Sequence, residues 1–200
     1  MKSVPKVRSR VLAACFAAAA ATLIATCAHA GMSEDPWHKG ANWTTFRAGW
    51  AKSMEGGAPN GWAGYGFGFS HMMSDRVSVG VFIHHELLGK FGGAAEIEIP
   101  LTAEYAYAFD WNTALRPYVG LGLGAFYHKF YRSGADRTDL LPATVFKFGA
   151  DTALDPHNVL GFDARAAWVL SDDETVDPVF GKSKPTSIRW SLKLQYSRVF

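Results

Sequence analysis

Over 200 residues the chain carries 20 Lys and Arg against 18 Asp and Glu, is 48% hydrophobic and 14% aromatic, and holds two cysteines. So even a balance excludes the surface-wide basic field that nucleic-acid binding needs, and no nucleic-acid partner is expected. Both cysteines, Cys15 and Cys27, lie in an N-terminal segment expected to be removed, which excludes a disulfide framework and thiol chemistry in the mature chain.

In that segment Lys2, Lys6, Arg8 and Arg10 precede an apolar run over residues 11–26, and Ala28-His29-Ala30 follows as an A-x-A cleavage site. The pattern is that of a secretory signal peptide over residues 1–30. The run is shorter than the roughly 20 residues of a membrane-spanning helix. Two lipobox-like stretches end at Cys15 and Cys27, but the first lacks an apolar run before it and the second has Thr26 where a smaller residue is usual. Removing four of the 20 basic residues leaves 16 against 18 acidic ones, a mature net charge of about −2. Residues 31–42, with Pro36 and two glycines, read as a short, flexible periplasmic leader.

From residue 43 to residue 200 the hydrophobic period is two, the signature of β-strands whose successive side chains point to opposite faces. Strands are predicted at about residues 43–53, 62–71, 77–86, 95–109, 116–128, 143–152, 160–170 and 187–200. The second sets Ala63, Tyr65, Phe67 and Phe69 against Gly64, Gly66, Gly68 and Ser70; the fourth sets Ile97, Ile99, Leu101, Tyr105 and Tyr107 against Glu96, Glu98, Thr102 and Glu104. The last alternates Ile188, Trp190, Leu192, Leu194 and Tyr196 with Arg189, Ser191, Lys193, Gln195 and Ser197. Each strand is long enough to cross a bilayer, since a tilted strand needs about 9 to 11 residues. Connections at 72–75, 110–114 and 154–158 are short. Those at 54–60, 88–92, 129–142 and 171–186 are longer on average, with 88–92 the weak member of the series. Short periplasmic turns alternate with longer outer loops in this way in bacterial barrels, and an even strand number leaves both termini periplasmic.

A soluble barrel would alternate in the same manner, with its apolar face inward. Glycine separates the two readings: Gly64, Gly66, Gly68, Gly80, Gly120, Gly122, Gly124, Gly149 and Gly161 all share the polar face, which suits a crowded interior rather than a solvated surface. Aromatic residues cluster at the ends of the apolar face, with Trp50, Tyr127, Trp168 and Trp190 at the outer end and Phe69, Tyr107, Phe109, Tyr196 and Phe200 at the inner end. These are the girdles of a membrane barrel. The fold expected is all-β, an eight-stranded antiparallel up-and-down transmembrane barrel over residues 43–200.

With its signal peptide, its eight alternating strands, the stretch Arg116-Pro117-Tyr118-Val119-Gly120-Leu121-Gly122-Leu123-Gly124 and a last strand ending in Phe200, the chain resembles the small outer-membrane barrels of the OmpW-like and OmpX-like families. The resemblance implies the fold and a multi-pass location in the cell outer membrane, with outer-membrane lipid and lipopolysaccharide as surroundings. Tyr196 and Phe200 are similar to the signal read by the barrel-insertion machinery. A monomer without a cofactor is expected, and the OmpW-like resemblance admits passage of small solutes.

Sorting charges by face assigns to the lumen Arg47, Arg76, Arg116, Lys147, Arg165, Arg189 and Lys193, against Glu86, Glu96, Glu98, Glu104, Asp151 and Asp163. Eight strands enclose a space that side chains fill, so these charges are expected to pair and plug the lumen. A lipid A deacylase-like enzyme would need a His and a Ser close together at the outer end of a strand. No His-x-Ser occurs on any strand, so no catalytic residues are assigned. His84, Glu86, Glu96, Glu98 and His128 face inward near the outer mouth, a donor set suited to a divalent cation. Three carboxylates there require compensation, and protonated His84 and His128, a cation or a luminal arginine are the candidates; charge compensation is favoured over a metal site. His71, His85 and His157 are expected at the solvent or an interface.

Overall fold

The computed structural model describes residues 35–54, 61–91, 94–111, 114–131, 137–170, 175–177, 181–183 and 187–200. Eight strands close an antiparallel barrel: β1 (Asn42–Ser53), β2 (Trp62–Ser74), β3 (Val77–Phe91), β4 (Ala94–Ala108), β5 (Leu115–Tyr131), β6 (Arg137–Asp155), β7 (Asn158–Val169) and β10 (Ser187–Val199). Between the last two lies a small hairpin, β8 (Thr175–Asp177) and β9 (Gly181–Ser183), where the sequence pattern showed only a loop. Neighbours in the wall are neighbours in the chain, except that β1 meets β10 to close the ring. The closing register runs from Trp43 opposite Val199 to Ser53 opposite Arg189.

The alternation read from the sequence sorts side chains between outside and inside. Leu121, Leu123, Leu192 and Leu194 are among the most exposed residues, Leu194 at 70%, whereas Glu98 and Asp163 are wholly buried. A chain that turns leucine outward over its whole girth and charge inward is built for a hydrocarbon surround, in which a closed barrel also satisfies every backbone ladder group. The aromatic girdle residues are all exposed or half-buried on the outer face.

β2, β3, β5 and β6 run three or more residues past their predicted ends. β3 continues to Phe91, into the predicted turn at residues 88–92, carried by a register shift between Leu87 and Gly89, where Gly89 adopts φ 135°. That left-handed backbone is one that glycine alone takes without strain. β6 begins at Arg137 rather than at about residue 143. The β3–β4 ladder is interrupted between the pairs Ile83–Leu101 and Glu86–Glu98, where Pro100 supplies no N–H.

Residues 35–41 are not a free leader. Trp37 is buried against Trp43, ring centroids 6.0 Å apart, in a cluster with Ala41, Met72, Val159 and Val199. Gly40 donates its N–H to the Met72 carbonyl at 2.8 Å, Met72 donates to Ala41 at 2.9 Å, and the Trp43 indole donates to the Pro36 carbonyl at 2.9 Å. The flexible reading rested on proline and glycine content and overlooked two tryptophans that find each other across the periplasmic mouth. Residues 31–34 and the signal segment lie outside the described residues.

Candidate functional site

The lumen holds its charges in three tiers. At the centre, Glu104 of β4 accepts from three side chains, on β4, β6 and β7, and is ion-paired with a fourth on β1. Arg165 grips it through both Nη atoms at 2.6 and 3.1 Å, Lys147 Nζ approaches to 2.9 Å, Thr102 donates its hydroxyl at 2.7 Å, and an Arg47 Nη lies at 3.6 Å. Asp163 receives Arg165 Nε, the Tyr118 hydroxyl at 2.9 Å and Arg47 at 3.7 Å, and Gln195 bridges Arg47 to Asp151. Arg47, Lys147 and Arg165 thus face Glu104, Asp151 and Asp163, three charges against three.

Phe82 stands among these cations. Its ring centroid lies 3.9 Å from Arg47 Cζ, 5.4 Å from Lys147 Nζ and 5.7 Å from Arg165 Cζ, within the range of cation–π attraction. Gly66 and Gly68 on β2 make the room: a Cβ on Gly68 would enter the Phe82 ring and one on Gly66 would enter the His84 ring. Phe82 sits on the polar face by parity alone, and its role could not be read without knowing that glycines flank it on the next strand. Thr102, Tyr118 and Gln195 were likewise passed over as ordinary polar residues of that face.

Arg76 and Arg116 do not join this network, contrary to the sequence assignment. Both have the right parity but the wrong depth. Arg76 is more than half exposed beside Asp110, 3.9 Å away, and its hydrogen bond to Tyr107 holds the guanidinium above even the usual arginine range. Arg116 lies over the Trp37 ring at 4.4 Å and pairs with Asp35 at 3.7 Å. Both belong to the periplasmic rim.

At the outer mouth the pairing of β3 with β4 sets Glu86 opposite Glu98, and that of β4 with β5 sets Glu98 opposite His128. The compensating cations come from β10. Lys193 takes Glu86, and Arg189 reaches Glu98 at 3.3 Å and Glu96 at 3.8 Å. Arg189 also bonds Ser53, and His128 Nε2 lies 2.8 Å from Glu96. His84 does not join the carboxylates. It stacks on Phe82 at 6.3 Å, interplanar angle 12°, with Nε2 buried and without a hydrogen-bond partner. Among the described residues no group of three or more His, Cys, Asp or Glu is arranged to hold a metal ion. Of the remaining histidines, His71 meets Asn42 at 2.8 Å, His85 packs beside Tyr65 on the outer face, and His157 lies in the turn before β7. Tyr196 and Phe200 lie on the outer face near the periplasmic end, Tyr196 bonded to Asn158 and Phe200 to the backbone of Asn42.

No protein-family model matches the sequence, and no curated protein is significantly similar to it. Solved structures do match. Neisserial surface protein A is similar over 81% of this chain and 100% of its own, with a TM-score of 0.65 and 15% identity. Ail, the attachment invasion locus protein of Yersinia pestis, covers 81% of this chain and 99% of its own at 0.55 and 12%. OprG of Pseudomonas aeruginosa covers 82% and 97% at 0.51 and 17%. The fold is that of a small outer-membrane β-barrel. Joined to the leucine exterior and charged interior, it makes this chain a multi-pass barrel of the outer membrane. At such identities the likeness fixes architecture, and the two luminal charge clusters must be interpreted on their own geometry.

Proposed function

We propose that this outer-membrane barrel does not conduct, and that it serves the envelope as an embedded scaffold rather than as a pore or an enzyme. The observation that carries the reading is the central cluster: Glu104 is bonded from both Arg165 nitrogens, Lys147 and Thr102, with Phe82 beside them. A water file would have to pass between groups already in hydrogen-bond contact. Among the described residues, the cavities flanking the cluster are about 50 Å³ toward the periplasm and about 20 Å³ toward the outside, enough for a few isolated waters. Lipid and lipopolysaccharide contact the aromatic exterior in this reading, and Phe200 of the closing strand serves insertion. A planar-bilayer measurement on refolded protein tests it. No discrete conductance steps are expected for the wild type, and steady ohmic steps would replace the scaffold reading with solute passage.

A further inference from the structure

The inward positions at the periplasmic ends of four neighbouring strands are apolar: Met72 on β2, Trp43 on β1, Val199 on β10 and Val159 on β7. They sit at the watery end of a face whose deeper pairs across the same seam are polar, Thr45 with Ser197 at 2.8 Å and Arg47 with Gln195 at 2.9 Å. The patch straddles the closing seam, Trp43 lying directly opposite Val199. What covers it is not part of the wall. Trp37, its ring 6.0 Å from that of Trp43, and Ala41 lie over the patch, and all six side chains are at most 7% exposed.

The covering segment is fastened on opposite sides of the mouth. On the β1–β2 side, Gly40 N–H donates to the Met72 carbonyl at 2.8 Å, Met72 N–H to the Ala41 carbonyl at 2.9 Å, and Lys39 N–H to the Asp75 carboxylate at 3.0 Å. On the far side, Arg116 of β5 lies over the Trp37 ring at 4.4 Å, pairs with Asp35 at 3.7 Å and donates to the Asp75 carbonyl at 3.2 Å. β5 stands four strands from β1 whichever way the ring is followed, so the segment spans the mouth from wall to wall. If the seam opens, Val159 and Val199 leave with one edge and Trp43 and Met72 with the other. Trp37 then loses half of its apolar partners and the patch meets water, so this burial exists only in the closed ring and opposes its reopening.

We infer that residues 35–41 are a strap that locks the closed seam from the lumen side and sets how readily the cylinder reopens at its periplasmic end. The strap takes hold on the finished ring, so its loss belongs to the unfolding rate and not to the folding rate. The inference is independent of whether the lumen conducts: conductance steps in the bilayer would remove the scaffold reading and leave the strap in place.

Native-state amide exchange of the refolded mature chain in phosphatidylcholine vesicles, read peptide by peptide in a mass spectrometer, tests it. Two variants are compared with wild type, Trp37→Ala and Arg116→Gln; the second removes the far anchor and leaves every seam residue unchanged. In Trp37→Ala, exchange over residues 42–46 and 195–200 is expected to rise at least about tenfold, while residues 99–105 of β4 and 121–127 of β5 keep their wild-type protection, the mark of a local opening. Arg116→Gln should accelerate the same seam residues by about threefold or more and spare the same controls. In urea both variants should unfold faster than wild type and refold at the wild-type rate. Equal acceleration at the seam and in the controls, unchanged exchange at the seam, or a loss that appears in the refolding rate would overturn the proposal. Arg116 lies at the rim and outside the seam, so its variant decides the matter even if Trp37→Ala does not fold.

Discussion

Glu104→Gln removes one charge from the centre of the barrel and almost no volume. In the wild type its carboxylate answers Arg165 at 2.6 and 3.1 Å and Lys147 at 2.9 Å, with Arg47 at 3.6 Å. After the substitution three buried cations face Asp163 and Asp151 only. Breaking a buried ion pair by removing one partner costs about 3–5 kcal/mol, because the other charge remains without compensation. Here the loss is shared among three cations that keep two carboxylates, so about 3 kcal/mol is expected. Lys147→Met added to Glu104→Gln restores two charges against two. The double variant should therefore be more stable than the sum of the single losses by about 1–3 kcal/mol, the usual coupling of residues in one network. Reversible urea unfolding in phosphatidylcholine vesicles, followed by tryptophan fluorescence, measures each term. A Glu104→Gln loss below about 0.5 kcal/mol, or strict additivity in the double variant, would mean that water and not protein compensates these charges, and the plug would have to be abandoned.

Leu192, 54% exposed on the outer face, pairs with Trp50 and Ala164, while its neighbour Ser191 is buried in the lumen. Leu192→Arg should cost roughly 2–4 kcal/mol in vesicles if the residue meets the bilayer midplane, and a variant as stable as wild type would reverse the assigned facing. Gly68→Ala places a methyl group in the Phe82 ring and should cost about 1–3 kcal/mol by overpacking, with Phe82→Leu recovering part of the loss in the double variant; no recovery would mean that the wall, not the ring, resists. In the periplasmic turn, the Asp155 carboxyl is held below its usual range by the Asn158 amide at 2.6 Å and the His157 N–H at 2.8 Å. Its contribution is present above the ordinary carboxylate pKa and is lost as pH falls through the depressed folded value. The stability difference between wild type and Asp155→Ala should therefore shrink on acidification, and a difference independent of pH would refute the turn's role.

Parity was legible and depth was not. Arg47, Lys147, Arg165 and Lys193 alternate strictly with apolar neighbours, so their inward direction followed from a period of two. Arg76 and Arg116 share that parity but lie at strand ends, and a strand end can be located only once the shear of the barrel is known. Partners across the lumen are set by the same shear: Lys193 of β10 reaches Glu86 on β3, three strands away with β1 and β2 between, a pairing no local spacing encodes. The burial of Trp37 was not legible because it comes from contact with Trp43, Met72 and Val199, which belong to three different strands. The extension of β3 to Phe91 was not legible, because it depends on the bulge at Gly89, which a period of two does not announce.

The seam between β1 and β10 has a consequence for how the molecule is made. Asn42 and Phe200 exchange backbone hydrogen bonds at 3.1 and 3.0 Å, so the first barrel residue and the last residue of the chain form one rung. Every other rung joins consecutive barrel strands, whose loop-closure entropy is small, whereas this one closes a ring of nearly 160 residues and bears the largest entropic cost in the fold. Hairpins can therefore accumulate in the order of synthesis, while the cylinder itself comes into being in a single late event that waits for β10. A chain arrested before that strand is an open, curled sheet with two unpaired edges, a form that hydrocarbon does not tolerate.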